Sequence, residues 1–285
     1  MLIVKFEGGL GNQLFQYAFL EYLKLNNQEV YADISDYKYH EHHYGYEIEK
    51  VFGCDIKKAD KKQIHTLAIE HNNLAIKTLE KVLRIQIYKK NEFNELDRIG
   101  VVNAGPILRD IYFSGYWQNV YYVNMTQTVL RDKLTFKESV QGKNLECYEH
   151  FKGVNTVSVH IRRKDYLHNV NLGGICQKHY YDEAINYMKE KLTDPVFFFF
   201  SDDIDWCKSE FGETPENYYV DWNIGKDSFR DMQLMSLCKN NIIANSSFSW
   251  WGAWLNSNIK KIVIMPKQWT KFWDSTTMSP GWLRM

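Results

Sequence analysis

Short apolar runs alternate with segments of helical period throughout the second half of the chain. Runs of strand length occur at 156–161, 196–200, 218–220, 241–244 and 261–265. Between and after them, apolar residues recur at helical spacing over 179–191, 204–211, 229–238 and 248–255. Strands that alternate with helices predict a parallel, doubly wound sheet, a form of α/β fold. Because ligands bind at the carboxyl ends of such strands, the residues that follow each strand are the candidates for function.

The first half opens with the same pattern and then becomes irregular. Residues 2–6 form an apolar run, a glycine-rich turn follows, and apolar residues between Leu14 and Leu23 recur at helical spacing. Residues 30–33 predict a second strand, so the chain starts as a βαβ unit. Helical periods occur within 61–89, with a break at Asn72–Asn73, and over 119–136, whereas 37–53 predicts a loop and 101–116 irregular chain.

Composition excludes some classes of function. Thirty-five Lys and Arg balance 35 Asp and Glu, and a formal net charge of zero argues against a non-specific nucleic-acid binder. Five cysteines without a C-x-x-C motif indicate free thiols in a reducing compartment. We find neither a signal peptide nor an apolar stretch long enough to span a membrane, and we expect a cytoplasmic protein. The aromatic fraction is high, at 15%, and indicates either a packed core or surfaces that face sugars.

Charged residues follow the strand at 156–161. The side chains of His160 and Arg162 share one face, and Arg163, Lys164 and Asp165 come next. Guanidinium groups match phosphate oxygens with two parallel hydrogen bonds, so this strand end is a candidate phosphate site. Asp165 would orient an arginine or act as a base. The alternative is a solvated turn with internal ion pairs.

Acidic residues follow the strand at 196–200. Ser201 and Asp202 are candidate caps for the next helix, because acids are favourable in a first turn. Asp203 and Asp205 match the D-x-D metal and nucleotide signature of many glycosyltransferases, although three residues are a weak match. A carboxylate here could instead accept hydrogen bonds from a base such as guanine.

Small polar residues open the helix after 241–244. Asn245, Ser246, Ser247 and Phe248 precede a tryptophan-rich helix, and backbone N–H groups at a helix N-terminus bind anions without needing net charge. An ordinary helix cap is the alternative. Trp250, Trp251 and Trp254 are expected to pack in the core.

The N-terminal turn resembles a dinucleotide-binding fingerprint. Gly9 and Gly11 would bring the backbone close to a ligand, and Asp33 lies where a ribose-binding acid would lie. Leu14 replaces the third glycine, however, and no P-loop lysine is present. The nine histidines show no zinc-binding spacing, and a cluster in the Tyr-rich loop is more often not a metal site: His40, His42 and His43.

Four segments together resemble the α-1,2-fucosyltransferase family, glycosyltransferase family 11, in its bacterial branch. They are GGLGNQLFQYA at 8–18, HIRRKDY at 160–166, FFSDD at 199–203 and NSSFSWWG at 245–252. They occur in the order of the family and span most of the chain. Lys164 departs from the glycine that is usual in the family and adds bulk and charge beside the site.

The resemblance implies a GT-B-like α/β fold of two Rossmann-like domains whose parallel sheets face a cleft. Residues 1–140 would form the acceptor side and residues 141–285 the GDP-fucose-binding domain. The family transfers L-fucose from GDP-β-L-fucose to the 2-hydroxyl of a terminal β-galactoside, with inversion and without a metal or other cofactor. We therefore expect a role in surface glycan synthesis, with no nucleic-acid partner and no membrane span. Peripheral contact with the inner membrane is left open.

The resemblance also implies roles for particular residues. Arg162 would stabilise charge on the β-phosphate, Asn12 would reach the same phosphate across the cleft, and Asp165 is the candidate base. The donor-binding candidates are Gly9, Gly11, His160, Arg163, Ser201, Asp202, Asp203, Asn245, Ser246, Ser247 and Phe248. No metal ligand and no individual acceptor residue is assigned, although 37–46 and 165–177 are the expected acceptor segments. Three alternatives stay open: a nicotinamide oxidoreductase, a non-catalytic carbohydrate-binding protein and a metal-dependent D-x-D enzyme.

Overall fold

Two compact units, residues 1–133 and 134–285, make up the computed structural model of the chain. The structure describes residues 1–38, 44–69, 74–83, 89–95, 101–103 and 105–285. Each unit contains one parallel β-sheet with helices along the connections, as expected for Rossmann-like halves. Among the described residues, none of the helices has the length and apolar character needed to cross a membrane. The assignment of the acceptor side to the first half and the donor side to the second stays a prediction.

The sheet of the first unit has four parallel strands in the order β2-β1-β4-β3. Its strands are β1 (Leu2–Lys5), β2 (Val30–Asp33), β3 (Glu92–Asn94) and β4 (Ile111–Ser114). Its helices are α1 (Leu10–Lys24), α2 (Ile48–Phe52), α3 (Lys61–Leu67), α4 (Leu74–Leu83), α5 (Val120–Met125) and α6 (Gln127–Lys133). The βαβ start is therefore confirmed.

The middle of the first unit differs from the sequence prediction. β4 lies in the stretch that was expected to be irregular, yet it pairs with β1 in the interior of the sheet. Helix α2 lies within the predicted loop at 37–53, and β3 was not predicted. The single helix expected over 119–136 is divided at Thr126, whose hydroxyl donates to the carbonyl of Tyr122 at 2.8 Å. The predicted break at Asn72–Asn73 lies outside the described residues.

The sheet of the second unit has six parallel strands in the order β10-β9-β8-β5-β6-β7. The strands are β5 (Asn155–Ile161), β6 (Pro195–Ser201), β7 (Asn217–Val220), β8 (Asn240–Ile242), β9 (Val263–Met265) and β10 (Leu283–Arg284). The helices are α7 (Gly142–Glu149), α8 (Lys178–Lys191), α9 (Ile204–Phe211), α10 (Phe229–Leu237) and α11 (Ser247–Leu255). All predicted elements of this half are present with ends within two residues of the prediction, and only α7 and β10 were not predicted.

This strand order is that of nucleotide-binding Rossmann sheets. Counted from β5 along the chain, it reads 3-2-1-4-5-6, and the order reverses between β5 and β8, which pair directly. Ligands of such sheets bind outside the carboxyl ends of the strands at this reversal. The residues that follow β5 and β8 therefore flank the position where a ligand is expected.

Aromatic residues fill the core of the second unit. Residues 197–200, four consecutive phenylalanines of β6, are fully buried, as expected for a parallel strand that is covered on both faces. Trp250, Trp251 and Trp254 of α11 are also buried, and the Trp250 indole donates to the carbonyl of Met278 at 2.6 Å. The expectation that these tryptophans pack in the core is confirmed.

We expect Phe199→Ala to lower the free energy of unfolding by about 3–5 kcal/mol, as is typical for the loss of a buried phenylalanine. Phe199 is fully buried, and its ring stacks on Phe211 and Tyr219 with centroids 5.1 and 5.0 Å away. Chemical denaturation measures the change. Phe272→Ala is the matched control because Phe272 is 76% exposed, and equal losses in the two variants would contradict the assigned core.

Candidate active site

The carboxyl end of β5 holds an arginine that is bound by carboxylates. Arg162 donates from Nε and Nη2 to the two oxygens of Asp165, both at 2.8 Å, and its Nε lies 3.4 Å from Asp202. Burial alone would lower the pKa of Arg162, but the hydrogen bond to Asp165 and the charge of Asp202 outweigh burial and raise it. The guanidinium therefore stays charged and fixed in orientation. Its Nη1 makes no hydrogen bond to the described protein and can face an anion.

Asp202 shapes the loop that follows β5. Its carboxylate accepts hydrogen bonds from the backbone N–H groups of Arg163, at 2.9 Å, and Lys164, at 3.2 Å. The alternative that Asp202 or Ser201 caps α9 is wrong: Asp203 occupies the N-cap position without a side-chain cap, and Ser201 Oγ accepts from the Asp203 backbone N–H. Asp202 is therefore a brace between β6 and the arginine loop.

Arg163 is also held by the protein. Its Nε donates to Asp203 at 3.0 Å, and its guanidinium lies over the ring of Trp206, 4.0 Å from the centroid. The Asp203 carboxylate is therefore committed to Arg163, and the described residues contain no group of three side chains suited to a metal ion. Lys164 has no positive φ, so lysine in place of the usual glycine causes no backbone strain.

His160 presents a buried nitrogen without a partner. The side chain is 6% exposed, and burial, followed by the charge of Arg162, lowers its pKa to about 3, so the imidazole is neutral. Its Nδ1 makes no hydrogen bond, and its ring lies 5.8 Å from that of Phe248. An enclosed nitrogen without a hydrogen-bond partner adds to the cost of charging the ring, in agreement with a neutral imidazole.

Helix α11 begins next to the end of β8. Ser246 is its buried N-cap residue, and the Ser246 side chain makes no cap hydrogen bond. The first amides of a helix have no partner within the helix, and the helix dipole favours an anion there. The helix start and Arg162 therefore follow the two neighbouring strands at which the strand order reverses.

Asn245 connects two loops of the second unit. Its side-chain amide donates to the carbonyls of Leu172 and Trp269, both at 3.2 Å, and its oxygen accepts from the Cys176 thiol at 3.4 Å. All of these partners belong to the protein, so the side chain acts as a structural tie. Contact of Asn245 with a donor stays a prediction, as it does for Ser246, Ser247 and Phe248.

The N-terminal motif forms a braced turn in the first unit. Gly8, with φ +76°, occupies the left-handed conformation, whereas Gly9 is the extended N-cap of α1 and Gly11 is buried within that helix. The positive φ of Gly8 favours glycine at this position, and a Cβ there would also lie 2.6 Å from the side-chain amide of Asn12. Asn12 accepts a hydrogen bond from Gln118 at 2.8 Å.

Two glutamines of this motif hold neighbouring loops, a role that the sequence analysis missed. Gln13 donates to the carbonyls of Gly8 and Gly45 and accepts from the Glu47 backbone. Gln16 accepts from the Glu7 backbone and donates to the carbonyl of Gly115. Both side chains are fully buried. Two glutamines three residues apart on an otherwise apolar helix face were the available signal.

Asp33 does not fit the role of a ribose-binding acid. It is buried, and its carboxylate accepts from the Tyr112 hydroxyl at 2.7 Å and from the Ser35 backbone at 2.8 Å. These bonds remove the main support for a nicotinamide site. The histidine cluster considered as a metal site, at 40–43, lies outside the described residues.

Comparisons with known proteins agree on one family. The family model described as Glycosyl transferase family 11 matches residues 1–284. An alpha-1,2-colitosyltransferase from Escherichia coli is 33% identical, with 100% of this chain and 99% of the relative covered. The O-antigen biosynthesis glycosyltransferase WbnK from Escherichia coli is 31% identical, with 92% of each chain covered. The crystal structure of the fucosyltransferase NodZ from Bradyrhizobium aligns with a TM-score of 0.54 and 16% identity, covering 88% of this chain and 90% of that one, which confirms the GT-B-like fold.

We expect His160→Gln to change how stability depends on pH. Because folding lowers the pKa of His160 to about 3, the unfolded chain binds the extra proton first as the pH falls below about 6.5. The free energy of unfolding of the wild type is therefore about 2 kcal/mol lower at pH 5 than at pH 8 because of this histidine. Glutamine does not bind a proton in this range, so the variant lacks this contribution. Urea denaturation of both proteins at a series of pH values measures the difference.

His179→Gln, at an exposed position of α8, controls for the loss of a histidine as such. Parallel stability curves for the wild type and His160→Gln between pH 5 and pH 8 would contradict the buried, neutral state of His160.

Proposed function

The chain belongs to glycosyltransferase family 11, and on that premise we propose that it transfers L-fucose from GDP-β-L-fucose to the 2-hydroxyl of a terminal β-galactoside. Membership of the family makes the protein an enzyme of the fucosyltransferase-like glycosyltransferases. The alternatives of a nicotinamide oxidoreductase and of a non-catalytic carbohydrate-binding protein are therefore wrong. Our proposal concerns three further points: which sugar nucleotide is the donor, which hydroxyl accepts the sugar, and that the anomeric configuration inverts.

The observation that carries the proposal is the fixed guanidinium of Arg162 at the reversal of the strand order. When the bond between fucose and the diphosphate breaks, negative charge grows on the β-phosphate. A preorganised charged donor stabilises that charge more than it stabilises the ground state. The start of α11, after the neighbouring strand, adds backbone donors for the same diphosphate.

The neutral imidazole of His160 and the ring of Phe248 suit the nucleoside part of the donor. A ring face supports a planar base, and the rings of His160 and Phe248 lie 5.8 Å apart. In this proposal Asp202 and Asp203 act mainly through the arginine loop, because their carboxylates already bind Arg163 and the backbone of Lys164.

Asp165 fits a positioning role better than that of a general base. Both of its oxygens accept hydrogen bonds from Arg162, so an incoming hydroxyl would have to compete with the guanidinium for them. The proposed transfer is therefore driven by the leaving group. The bond between the anomeric carbon and the β-phosphate oxygen breaks, the acceptor hydroxyl oxygen bonds to that carbon from the opposite face, and its proton passes to solvent. Inversion at the anomeric carbon follows from that geometry.

We propose further that protein groups stabilise the negative charge on the leaving group and that no metal cofactor takes part. The D-x-D alternative would need Asp203, but that side chain is paired with Arg163. The five cysteines are all free, which supports a reducing compartment such as the cytoplasm. The relative WbnK is an O-antigen biosynthesis glycosyltransferase, which supports a surface glycan as the product.

A donor that carries colitose is the second candidate, because one full-length relative is a colitosyltransferase. Colitose is L-fucose without the 3-hydroxyl, so the two donors differ by one polar group. A site that hydrogen-bonds this hydroxyl would reject colitose strongly, whereas a site lined by apolar groups would accept both sugars.

We expect Arg162→Lys to lower kcat by about 100-fold or more, because lysine keeps the charge but loses the forked donor geometry. The fold should persist, since the Arg162 side chain is partly exposed. Arg284→Lys, the same exchange on the edge strand β10, is the control. Steady-state kinetics with GDP-fucose measure the effect, and near-normal activity of Arg162→Lys would remove this residue from the proposed role.

We expect incubation with GDP-fucose and a panel of β-galactosides to yield an α-1,2-linked product, with turnover that survives EDTA. Mass spectrometry detects the product and linkage analysis fixes the position. The same nucleotide carrying colitose is offered in parallel reactions. Faster transfer of colitose would contradict the proposed donor, and a different linkage would contradict the proposed acceptor hydroxyl. Loss of activity in EDTA would show that the enzyme needs a metal ion.

A further inference from the structure

Two loops at the carboxyl edge of the second sheet expose large apolar side chains. The 166–177 loop follows β5 and carries Leu167 and Val170, which are 56% and 76% exposed. The 267–273 loop follows β9 and carries Phe272 and Trp273, which are 76% and 61% exposed. We call these four side chains the apolar rim. Exposed apolar groups of this size on neighbouring loops indicate a binding surface.

The backbone joins the two loops. The N–H of Lys271 donates to the carbonyl of Asn171 at 2.8 Å, next to Phe272 on one side and Val170 on the other. Asn245 ties both loops from beneath through the carbonyls of Leu172 and Trp269. The apolar rim is therefore presented by one connected support.

Each loop is also braced internally. The carbonyl of Trp273 accepts from the N–H groups of Trp269 and Thr270, at 2.9 and 3.1 Å, and closes the tip of the 267–273 loop. In the 166–177 loop, a Cβ on Gly173 would lie 2.3 Å from the carbonyl of Tyr166, so the chain folds tightly back on itself. The backbone that carries the exposed side chains is held in place by these contacts.

The charges around the apolar rim are positive. Neither loop contains Asp or Glu, the 267–273 loop contains Lys267 and Lys271, and Lys164 lies just before the 166–177 loop. The acids at the loop ends are paired: Asp165 with Arg162 at 2.8 Å, and Asp274 with Arg284 at 4.0 Å. An apolar surface surrounded by lysines suits the interface of an anionic lipid bilayer.

We propose that the apolar rim docks the protein on an anionic membrane surface. The aromatic and aliphatic side chains would enter the boundary between head groups and acyl chains, while Lys267 and Lys271 would face the lipid phosphates. Docking brings the carboxyl edge of the sheet, which carries Arg162, to the bilayer. This inference concerns a membrane contact and does not depend on the identity of the sugar donor.

Other occupants fit the rim less well. A sugar ring would stack on Phe272 or Trp273 but would gain little from the aliphatic Leu167 and Val170. A second copy of the chain, packed about a two-fold axis, would bring two sets of lysines together, and the like charges oppose that pairing. Lipid satisfies the apolar and the charged groups at the same time.

Co-sedimentation with vesicles tests the proposal. The probes are vesicles of phosphatidylcholine alone and of phosphatidylcholine mixed with phosphatidylglycerol. We expect the wild type to bind the anionic vesicles, less strongly as salt is added, and the double variant Phe272→Ser/Trp273→Ser to bind at least about tenfold more weakly. The control is Ile224→Ser/Ile259→Ser, two apolar residues of the same unit that are at least as exposed, at 78% and 96%, and it should bind like the wild type.

Lys271→Glu provides a second route, because it reverses one charge and leaves the apolar side chains in place. It should weaken binding to the anionic vesicles, and equal thermal unfolding midpoints would show that each variant is folded. Wild type that binds no anionic vesicle, or rim variants that bind as strongly as the control, would overturn the proposal.

Two further readouts identify other occupants. A raised KM of the rim double variant for a soluble acceptor would assign the surface to acceptor binding. A wild-type dimer that this variant disperses would assign it to self-association. Either result would overturn membrane docking. Failure of vesicle binding would leave the proposed transferase reaction unaffected, because that reaction is assayed with soluble acceptors.

Discussion

The Asp202 carboxylate is the contact on which the candidate site depends. It bonds the backbone amides of Arg163 and Lys164 and lies 3.4 Å from the Arg162 guanidinium, so one side chain sets both the loop path and the orientation of the arginine. The contact exists because β5 and β6 are adjacent, with Ile161 opposite Ser201 in the register. A shift of one residue would turn the side chains of β6 to the other face and separate Asp202 from the loop. Sheet register and site geometry are therefore one constraint.

The elements of the second unit could be predicted closely because its strands are clear apolar runs in the sequence. Residues 197–200 form an apolar run that needs no context to be read as a buried strand, and the helices between strands show clear periods. The first unit was predicted less well because β4 has only four residues and is followed directly by Gly115, Tyr116 and Trp117, so the local sequence shows no strand period. Its pairing with β1, more than a hundred residues earlier, makes it a strand. Such non-local pairing is invisible to a local pattern.

The site shows the same division between what is local and what is not. The positions of Arg162, Ser246 and the glycine turn followed from strand ends and helix starts, which are local features. The partners did not follow, because they come from other parts of the chain: Asp202 for the arginine loop, and two loop carbonyls for Asn245. The depressed pKa of His160 also required the structure, since it arises from burial and from the neighbouring Arg162. A sequence motif names residues, whereas the fold decides which of them bind a ligand and which hold the others.

The zero net charge of the chain has a local counterpart in the loop after β5. Arg162 is matched by Asp165 and Asp202, and Arg163 by Asp203, so the positive strand end seen in the sequence is neutralised by carboxylates in the structure. A diphosphate would thus be recognised there by donors in fixed directions, and net attraction would contribute less. That arrangement suits a transferase. Strong attraction would stabilise the bound donor as much as the transition state and leave the barrier unchanged, whereas a rigid guanidinium and helix amides interact most with charge that appears as the bond breaks. The paired carboxylates keep the guanidinium in that direction, and in the proposed reaction they would also limit how tightly a released nucleotide is held.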